Sequence, residues 1–581
     1  MNVDLKQLRE KVEKITIPGE IENLIVCDTP YRRFAQTAAQ YPDLTAVKYM
    51  GSDITYTELL RLADIMAKGF AALGVKKNDV VTVSLLATPY AIAVFYALDK
   101  LGACQHMVNS ANGVEELKSE FQNFDSAVFV ANDIFCTPQV IEIFKKAGVK
   151  KFILTSLLDA MPAGLSADKA KYTVIEKTKG LGSKYYDGES IIGMKQLLAI
   201  GEKYEKDVRA VAFEENHMAA VAYTSGSTGN SKACTASWRS MDSFIQVLGM
   251  TEVGRYNIGD VLFNTFPLWI FYSLLNMLHE PLCLGITVAL DPIYEPENLE
   301  RRNEQYHFNH WPTVPPYIAK MVQLNKNLDC SRWRVVSVGG VELTNEVKLS
   351  ADAYIEAHGG NARIVQGYGA SEVLGSFSYC YYENATLGSL GKPCIGNMFK
   401  LVDVQTGKKI THGNEGLLYI YAPSVMDGYY GDEAATAISL VKDENGVTWY
   451  NTEDIMRVNE RGELFFVDRL RRMTMTIGAD GKPNKLIPAK TEKCISTLEG
   501  VANCAVITVP DRERENTSVA FVQLKAASHL TQRDILQYCK QNIAEYQVPR
   551  EVIFTEKIPL TSSQKPDYTE LKQKYDALHK N

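Results

Sequence analysis

The sequence has no Cys-x-x-C pair, no dense run of Lys and Arg, no Gly-Lys-Ser/Thr triplet and no N-terminal apolar core of a signal peptide. Each absence removes a class of protein. Eleven scattered cysteines without paired spacing read as reduced thiols in a cytoplasmic chain, not as a disulfide framework. His307 and His310 form an H-x-x-H with no third ligand signal, which falls short of a zinc centre. With 62 basic against 69 acidic residues the balance is mildly acidic, so no nucleic-acid footprint is expected. Without Gly-Lys-Ser/Thr there is no Walker P-loop. The charge-free stretch from Val261 to His279 approaches a bilayer-spanning length, but Asn264, Pro267 and Asn276 interrupt it and Asp260 and Glu280 flank it. It reads as a buried or pocket-lining segment, and no membrane span is expected. Met1 to Lys14 reads as a surface helix.

What is present is a soluble globular composition, 46% hydrophobic and 23% charged. At 581 residues the chain exceeds one hydrophobic core and implies at least two domains. Helical spacing over Thr55 to Leu73, a β-branched run over Val80 to Leu86, a helix over Pro89 to Leu101 and a strand over Ala127 to Ala131 alternate α with β. That alternation predicts parallel sheets covered by helices. From about Thr386 short strands and turns predict a small antiparallel β unit. Near the end, strands at Ala505 to Val509 and Val519 to Leu524 precede a helix that Thr531 and Asp534 cap. A separate C-terminal domain is placed over 469–581, after a large N-terminal domain over 1–468. Asn516-Thr517-Ser518 matches a glycosylation sequon and is expected in a loop.

The most distinctive stretch is Thr224 to Ser231, where two glycines and five hydroxyl residues follow the apolar run Met218 to Ala222, with Lys232 next. Glycines let backbone N–H groups approach an anion, hydroxyls add donors and the lysine adds positive charge, so the stretch suits a phosphate. A Gly/Ser surface turn is the competing reading. Two more loops of unusual composition fall at strand ends: Gly339-Gly340 after Val335 to Val338, and Gln366 to Glu372 after Arg363 to Val365. Ligands in open α/β sheets collect at such ends.

Together these motifs resemble the adenylate-forming enzymes of acyl-CoA synthetase type. Tyr223 to Lys232 resembles their phosphate loop, Gly367 to Glu372 their Tyr-Gly-x-Thr-Glu motif, and Tyr450 to Asp454 their Thr-Gly-Asp motif. Asp468-Arg469 is similar to the start of their hinge, and Pro559 to Lys565 to their terminal Pro-x-Thr-x-x-Gly-Lys. The resemblance runs from about Pro30 to Leu571. It implies an α/β fold: a large N-terminal domain of two α/β subdomains plus a small β-barrel-like unit, with a small mobile α+β C-terminal domain. It implies ATP-dependent activation of a carboxylic acid to an acyl-adenylate, then transfer to the thiol of coenzyme A, with Mg²⁺. It implies Lys565, Glu372 and Thr224 as catalytic residues, with Glu372 toward the metal. Nucleotide binding falls to Thr224, Ser225, Gly226, Ser227, Thr228, Gly229, Lys232, Gly340, Gly367, Tyr368, Ser371, Asp454 and Arg469. Arg471 takes the hinge position, and Trp269, Ile270 and Gly339 the acyl pocket.

The departures are as specific. Gln564, Glu453 and Asp468 replace family glycines, so the backbone is expected to take different paths there. Gly478 to Lys485 is longer than the corresponding loop, which bears on the second half-reaction. A histidine usual after the phosphate loop is Trp238 here, and another near the acyl pocket is Ile270. The uncharged run Phe266 to Tyr272 favours an apolar acid, aliphatic or aromatic, unless these aromatics only fill the core. Transfer to a carrier-protein phosphopantetheine and a silent nucleotide-binding protein are the two competing functions.

Overall fold

The computed structural model describes residues 4–579 apart from 110–113, 122, 162–165, 225–230, 342, 382–383, 405, 411–412, 480–482 and 561–565. The chain separates into two compact units: 1–224, 232–398 and 421–450 form the first, and 225–231, 399–420 and 451–581 the second. Among the described residues no helix is long and apolar enough to cross a membrane.

The largest sheet of the first unit runs, from edge to edge, through Gly428–Tyr429, Ala233–Ser237, Met218–Tyr223, Cys104–Met107, Val80–Ser84, Ser126–Asn132, Lys151–Thr155 and Ile191–Gly193. From Met218–Tyr223 onward every neighbour is parallel, and the first two strands are antiparallel additions. The expected helix over Pro89–Leu101 forms because Thr88 caps it, Pro89 opens it and left-handed Gly102 stops it. All of its residues except Tyr90 are buried, so it is a core helix. Tyr56–Ala72 starts at a capping box of Thr55 with Glu58. The N-terminal helix Leu5–Val12 begins at Asp4 and buries Leu8 and Val12.

A second sheet orders Val261–Asn264, Thr287–Leu290, Thr45–Tyr49 and Ser52–Thr55, and a third Val336–Val338, Ile364–Ala370, Gly375–Tyr379 and Lys392–Pro393. Isolated bridges through His310 and Thr313 join the two. The charge-free stretch resolves into the strand Val261–Asn264 and, after a turn, the segment Tyr272–His279 with π-type hydrogen bonding. Such turns concentrate at functional sites.

Lys409–Ile410, Met398–Val402, Glu415–Tyr421 and Thr448–Val458, most of whose residues belong to the second unit, follow one another in one sheet, with Leu464–Arg469 paired antiparallel to the last. Farther on, Val501–Asp511 pairs antiparallel with Glu515–Leu524, which pairs parallel with Glu551–Phe554. The helix Gln532–Asn542 carries the Thr531–Asp534 capping box. Its Ile535 and Cys539 enter the core, while Leu536 and Ile543 pack at its margin. The sequon is corrected here: Asn516 to Ser518 lie in the strand Glu515–Leu524, with Ser518 buried, because they pair with Thr508 to Pro510 of the neighbouring strand. The expected long loop Gly478 to Lys485 is shorter: Pro483 to Lys485 belong to the strand Pro483–Leu486, which pairs antiparallel with Thr474–Ile477, and 480–482 lie outside the described residues.

Arg472 organises this unit's charges. Its guanidinium lies 2.7 Å from Glu492 and 3.2 Å from Asp468, and 4.2 Å above the Tyr568 ring. Glu492 also accepts from the Val506 N–H at 2.7 Å and the Tyr568 hydroxyl at 3.2 Å. Glu492→Ala leaves this guanidinium short of its shortest ion pair. The pair is part-buried, so the expected cost is about 2 kcal/mol, the scale of a hydrogen bond to a charged group. Urea unfolding followed by amide exchange in 501–554 checks it, and an unchanged midpoint would mean the pair is idle.

Candidate active site

The strand Met218–Tyr223 and the returning strand Ala233–Ser237 are antiparallel neighbours, so the loop between them is closed at its base. Thr224 N–H donates to the Lys232 carbonyl at 2.9 Å, and Lys232 N–H donates to Thr224 Oγ1 at 3.0 Å. This clasp uses the backbone of both residues and leaves the lysine side chain for other work. Its Nζ stands 4.6 Å above the Tyr429 ring. The Tyr429 hydroxyl donates to Glu372 Oε1 at 2.7 Å, and Glu372 is mostly buried. Lys232, Tyr429 and Glu372 therefore form one cluster beside the loop. Ser225, Gly226, Ser227, Thr228 and Gly229 lie outside the described residues. Cys234, next in the chain, is buried, and burial together with the Glu372 charge pushes its thiol well above the ordinary value. It is a packing residue.

The stretch Gln366 to Glu372 is only partly a loop. Ile364–Ala370 is one strand that runs parallel to Val336–Val338 and then antiparallel to Gly375–Tyr379, and only Ser371–Val373 turns. The glycines permit that change of partner. A Cβ on Gly369 would lie 2.0 Å from the Gly375 carbonyl oxygen, and one on Gly367 would lie 2.7 Å from the Tyr379 ring. Tyr368 is half-buried, edge-on to Phe377 at 6.5 Å. Gly339 approaches the Gly367 carbonyl, where its Cβ would be 3.5 Å away, and Gly340 takes φ +83° beside open space. The structure thus brings Gly339, Gly340, Gly367 and Tyr368 together.

Trp269 lines a small apolar cavity with Val83, Leu85, Phe95, Met107 and Leu268, and meets Phe135 edge-on at 6.0 Å. Ile270 and Gly339 do not line it, and Ile270 is 39% exposed. Trp238 opens the helix Trp238–Glu252, is fully buried, donates from Nε1 to Asp99 at 2.6 Å and stacks on His217.

The second unit holds the remaining residues. Asp454 stands opposite Arg469 in register, with Arg469 Nε 3.2 Å from Asp454 Oδ1. One residue before Asp454 and two after Arg469, Glu453 meets Arg471 at 2.7 Å. Glu453 corrects the expectation of a changed backbone path, because it keeps a left-handed φ of +57°. A glutamate there costs on the order of 1–3 kcal/mol. Its ion pair with Arg471 and the bond from its N–H to the Asn451 side chain are the contacts that oppose this cost. Asp468 is buried in the strand Leu464–Arg469 and accepts from the Arg469 and Ala489 N–H groups, a role no glycine could fill. Lys565 lies outside the described residues. On either side of it Leu560 and Pro566 pair as an antiparallel bridge, and the Asp567 N–H donates to the Pro559 carbonyl.

Tyr429 escaped the sequence reading. Its signal is weak, a Gly-Tyr-Tyr-Gly run inside the stretch expected as an antiparallel β unit.

Comparison with known proteins gives the family. The AMP-binding enzyme family matches residues 34–430, and the AMP-binding enzyme C-terminal domain matches residues 490–565. The chain belongs to the AMP-binding enzyme family, and its class is that of the AMP-forming acid–thiol ligases. It is similar to the peroxisomal OPC-8:0-CoA ligase 1 of Arabidopsis thaliana, 27% identical over 527 residues, 89% of this chain and 87% of that one. It is also similar to the 4-coumarate–CoA ligase CCL1 of Humulus lupulus, 27% identical over 571 residues, 96% of this chain and 94% of that one. In fold it matches ATP-bound MatB from Rhodopseudomonas palustris with a TM-score of 0.78 at 19% identity, over 95% of this chain and all (100%) of that one. It matches o-succinylbenzoate CoA synthetase from Bacillus subtilis, in complex with its acyl-adenylate, with a TM-score of 0.74 at 19% identity over 94% and 99% of the two chains.

Proposed function

We propose that this enzyme activates a carboxylic acid with ATP to an acyl-adenylate and transfers the acyl group to the thiol of coenzyme A. The observation that carries the reading is the Lys232–Tyr429–Glu372 cluster beside the clasped, donor-rich loop. A cation and a carboxylate next to a loop whose sequence is rich in donors support a triphosphate site there. In the first step the substrate carboxylate attacks the α-phosphorus of ATP and pyrophosphate leaves. Thr224 and its loop hold the phosphates, and Lys565 neutralises the charge that builds between carboxylate and phosphate. Tyr368 stacks against adenine, and Asp454 and Arg469 bond the ribose. In the second step the thiol sulfur attacks the acyl carbonyl and AMP leaves.

Magnesium fits Glu372, since that ion prefers one or two protein carboxylates plus substrate phosphates, and Tyr429 occupies only one of the carboxylate oxygens. Glu372 would hold the metal, which supplies charge masking on the phosphates. The coenzyme A acceptor is supported by the names of the relatives. A reducing compartment such as the cytoplasm suits the eleven thiols, although one relative is named as peroxisomal.

The apolar lining around Trp269 favours an aliphatic or aromatic acid without charge on its body. Incubating a panel of such acids with ATP, Mg²⁺ and either coenzyme A or a phosphopantetheinyl carrier protein tests the assignment. Acyl-CoA is the expected product, and acylation of the carrier alone would replace the acceptor. In the same panel Trp269→Ala should reorder acid preference by about tenfold, the effect of a methylene or two in an apolar pocket. An unchanged order would make Trp269 a core residue.

A further inference from the structure

Tyr223 ends the strand that leads into the loop, and its hydroxyl is held from two sides. It donates to the Glu120 carbonyl at 2.7 Å and lies 2.7 Å from His106 Nε2. A phenol has one proton, and a carbonyl can only accept. The proton on the Tyr223 oxygen is therefore committed to Glu120, and His106 Nε2 must carry the hydrogen that it gives to Tyr223. Nδ1 then accepts from the Thr82 hydroxyl at 3.1 Å. Burial holds the imidazole pKa down to about 3, in keeping with this neutral form. The bonds run in one direction, from Thr82 through His106 and Tyr223 to Glu120.

The same imidazole is the base of a ring stack. Phe124 lies flat against it at 3.9 Å and 18°, and Tyr430 lies flat against Phe124 at 4.2 Å and 18°. Tyr430 donates its N–H to the Ala233 carbonyl at 2.8 Å, one residue after Lys232. The start of the loop is thus tied to His106 by a hydrogen bond, and its return is tied to His106 through two stacked rings. A flat face and an N–H donor at its rim are both needed.

We propose that His106 is a positioning residue that sets the two ends of the Thr224–Lys232 loop at the spacing ATP requires. The proposal rests on the phosphate-loop reading above. Apparent affinity falls in proportion to the fraction of molecules whose loop is competent. A brace built before ATP arrives keeps that fraction high.

Full-length His106→Leu, His106→Gln and Tyr223→Phe test it, with the Mg-ATP Kd measured by calorimetry beside ATP KM, acid KM and thermal midpoint. His106→Leu should weaken ATP about tenfold, the scale of one buried hydrogen bond, and leave acid KM unchanged. His106→Gln, whose amide can donate to Tyr223 and lie flat on Phe124, should recover most of the loss. Tyr223→Phe keeps the ring and should show a loss of several-fold, which carries the test if His106→Leu does not fold. An ATP Kd unchanged in Tyr223→Phe and in whichever His106 variants fold would overturn the proposal. So would ATP and acid constants that rise together as the midpoint falls and are not restored in His106→Gln. Because Kd is read without chemistry, a wild type that binds ATP but makes no adenylate fails the proposed function and leaves this test standing. A wild type that does not bind ATP overturns both.

Discussion

Lys565→Ala is expected to slow acyl-adenylate formation by about 10²–10³ while a supplied acyl-adenylate is still converted to thioester. The attack of an anionic carboxylate on an anionic phosphate concentrates negative charge in the transition state. A lysine on a long flexible stem neutralises both partners at once. Pro559 and Thr561 precede this lysine at the family spacing. Leu560 and Pro566, the described residues nearest to it on either side, pair as an antiparallel bridge. Single-turnover assays of the separate half-reactions check the asymmetry. Equal loss in both would mean that the lysine acts on folding or on a step common to both, and the assignment would fail.

Glu372→Gln should have the next largest effect. The substitution keeps size and leaves an oxygen to accept from Tyr429, so it removes charge with little change of packing. Adenylation should fall about 10²-fold, the scale of one electrostatic contact to the transition state. The Mg²⁺ concentration for half-maximal rate should rise about tenfold, since a carboxylate binds that hard cation better than an amide. Titrating Mg²⁺ in the initial-rate assay reads both. An unchanged magnesium dependence would assign Glu372 to packing beside Tyr429 alone.

Local chemistry was legible where local rules decide. Thr88, Pro89 and Gly102 mark both ends of a helix within the sequence, and the structure ends it there. Thr531 with Asp534 did the same for Gln532–Asn542. The strand leading into the donor-rich loop was visible in the run from Met218. What escaped depends on partners far along the chain. Ile364–Ala370 continues as strand through its glycines because Gly375–Tyr379 comes back alongside, a pairing no window around Gly367 contains. The left-handed Glu453 looked like a broken motif because Arg471, its ion-pair partner, is remote in sequence. Tyr429 is 57 residues from Glu372, and His106 is 117 residues from Tyr223. Neither pair leaves a pattern in either segment alone.

The proposed reaction joins a carboxylate to the α-phosphorus of ATP. Exchange of labelled pyrophosphate into ATP, measured across a panel of aliphatic and aromatic acids with Mg²⁺ and without coenzyme A, tests it most directly. Exchange should require an acid of the apolar class and stop when magnesium is chelated. Label entering ATP at the same rate with no acid present, or no exchange with any acid while ATP is bound, would contradict it.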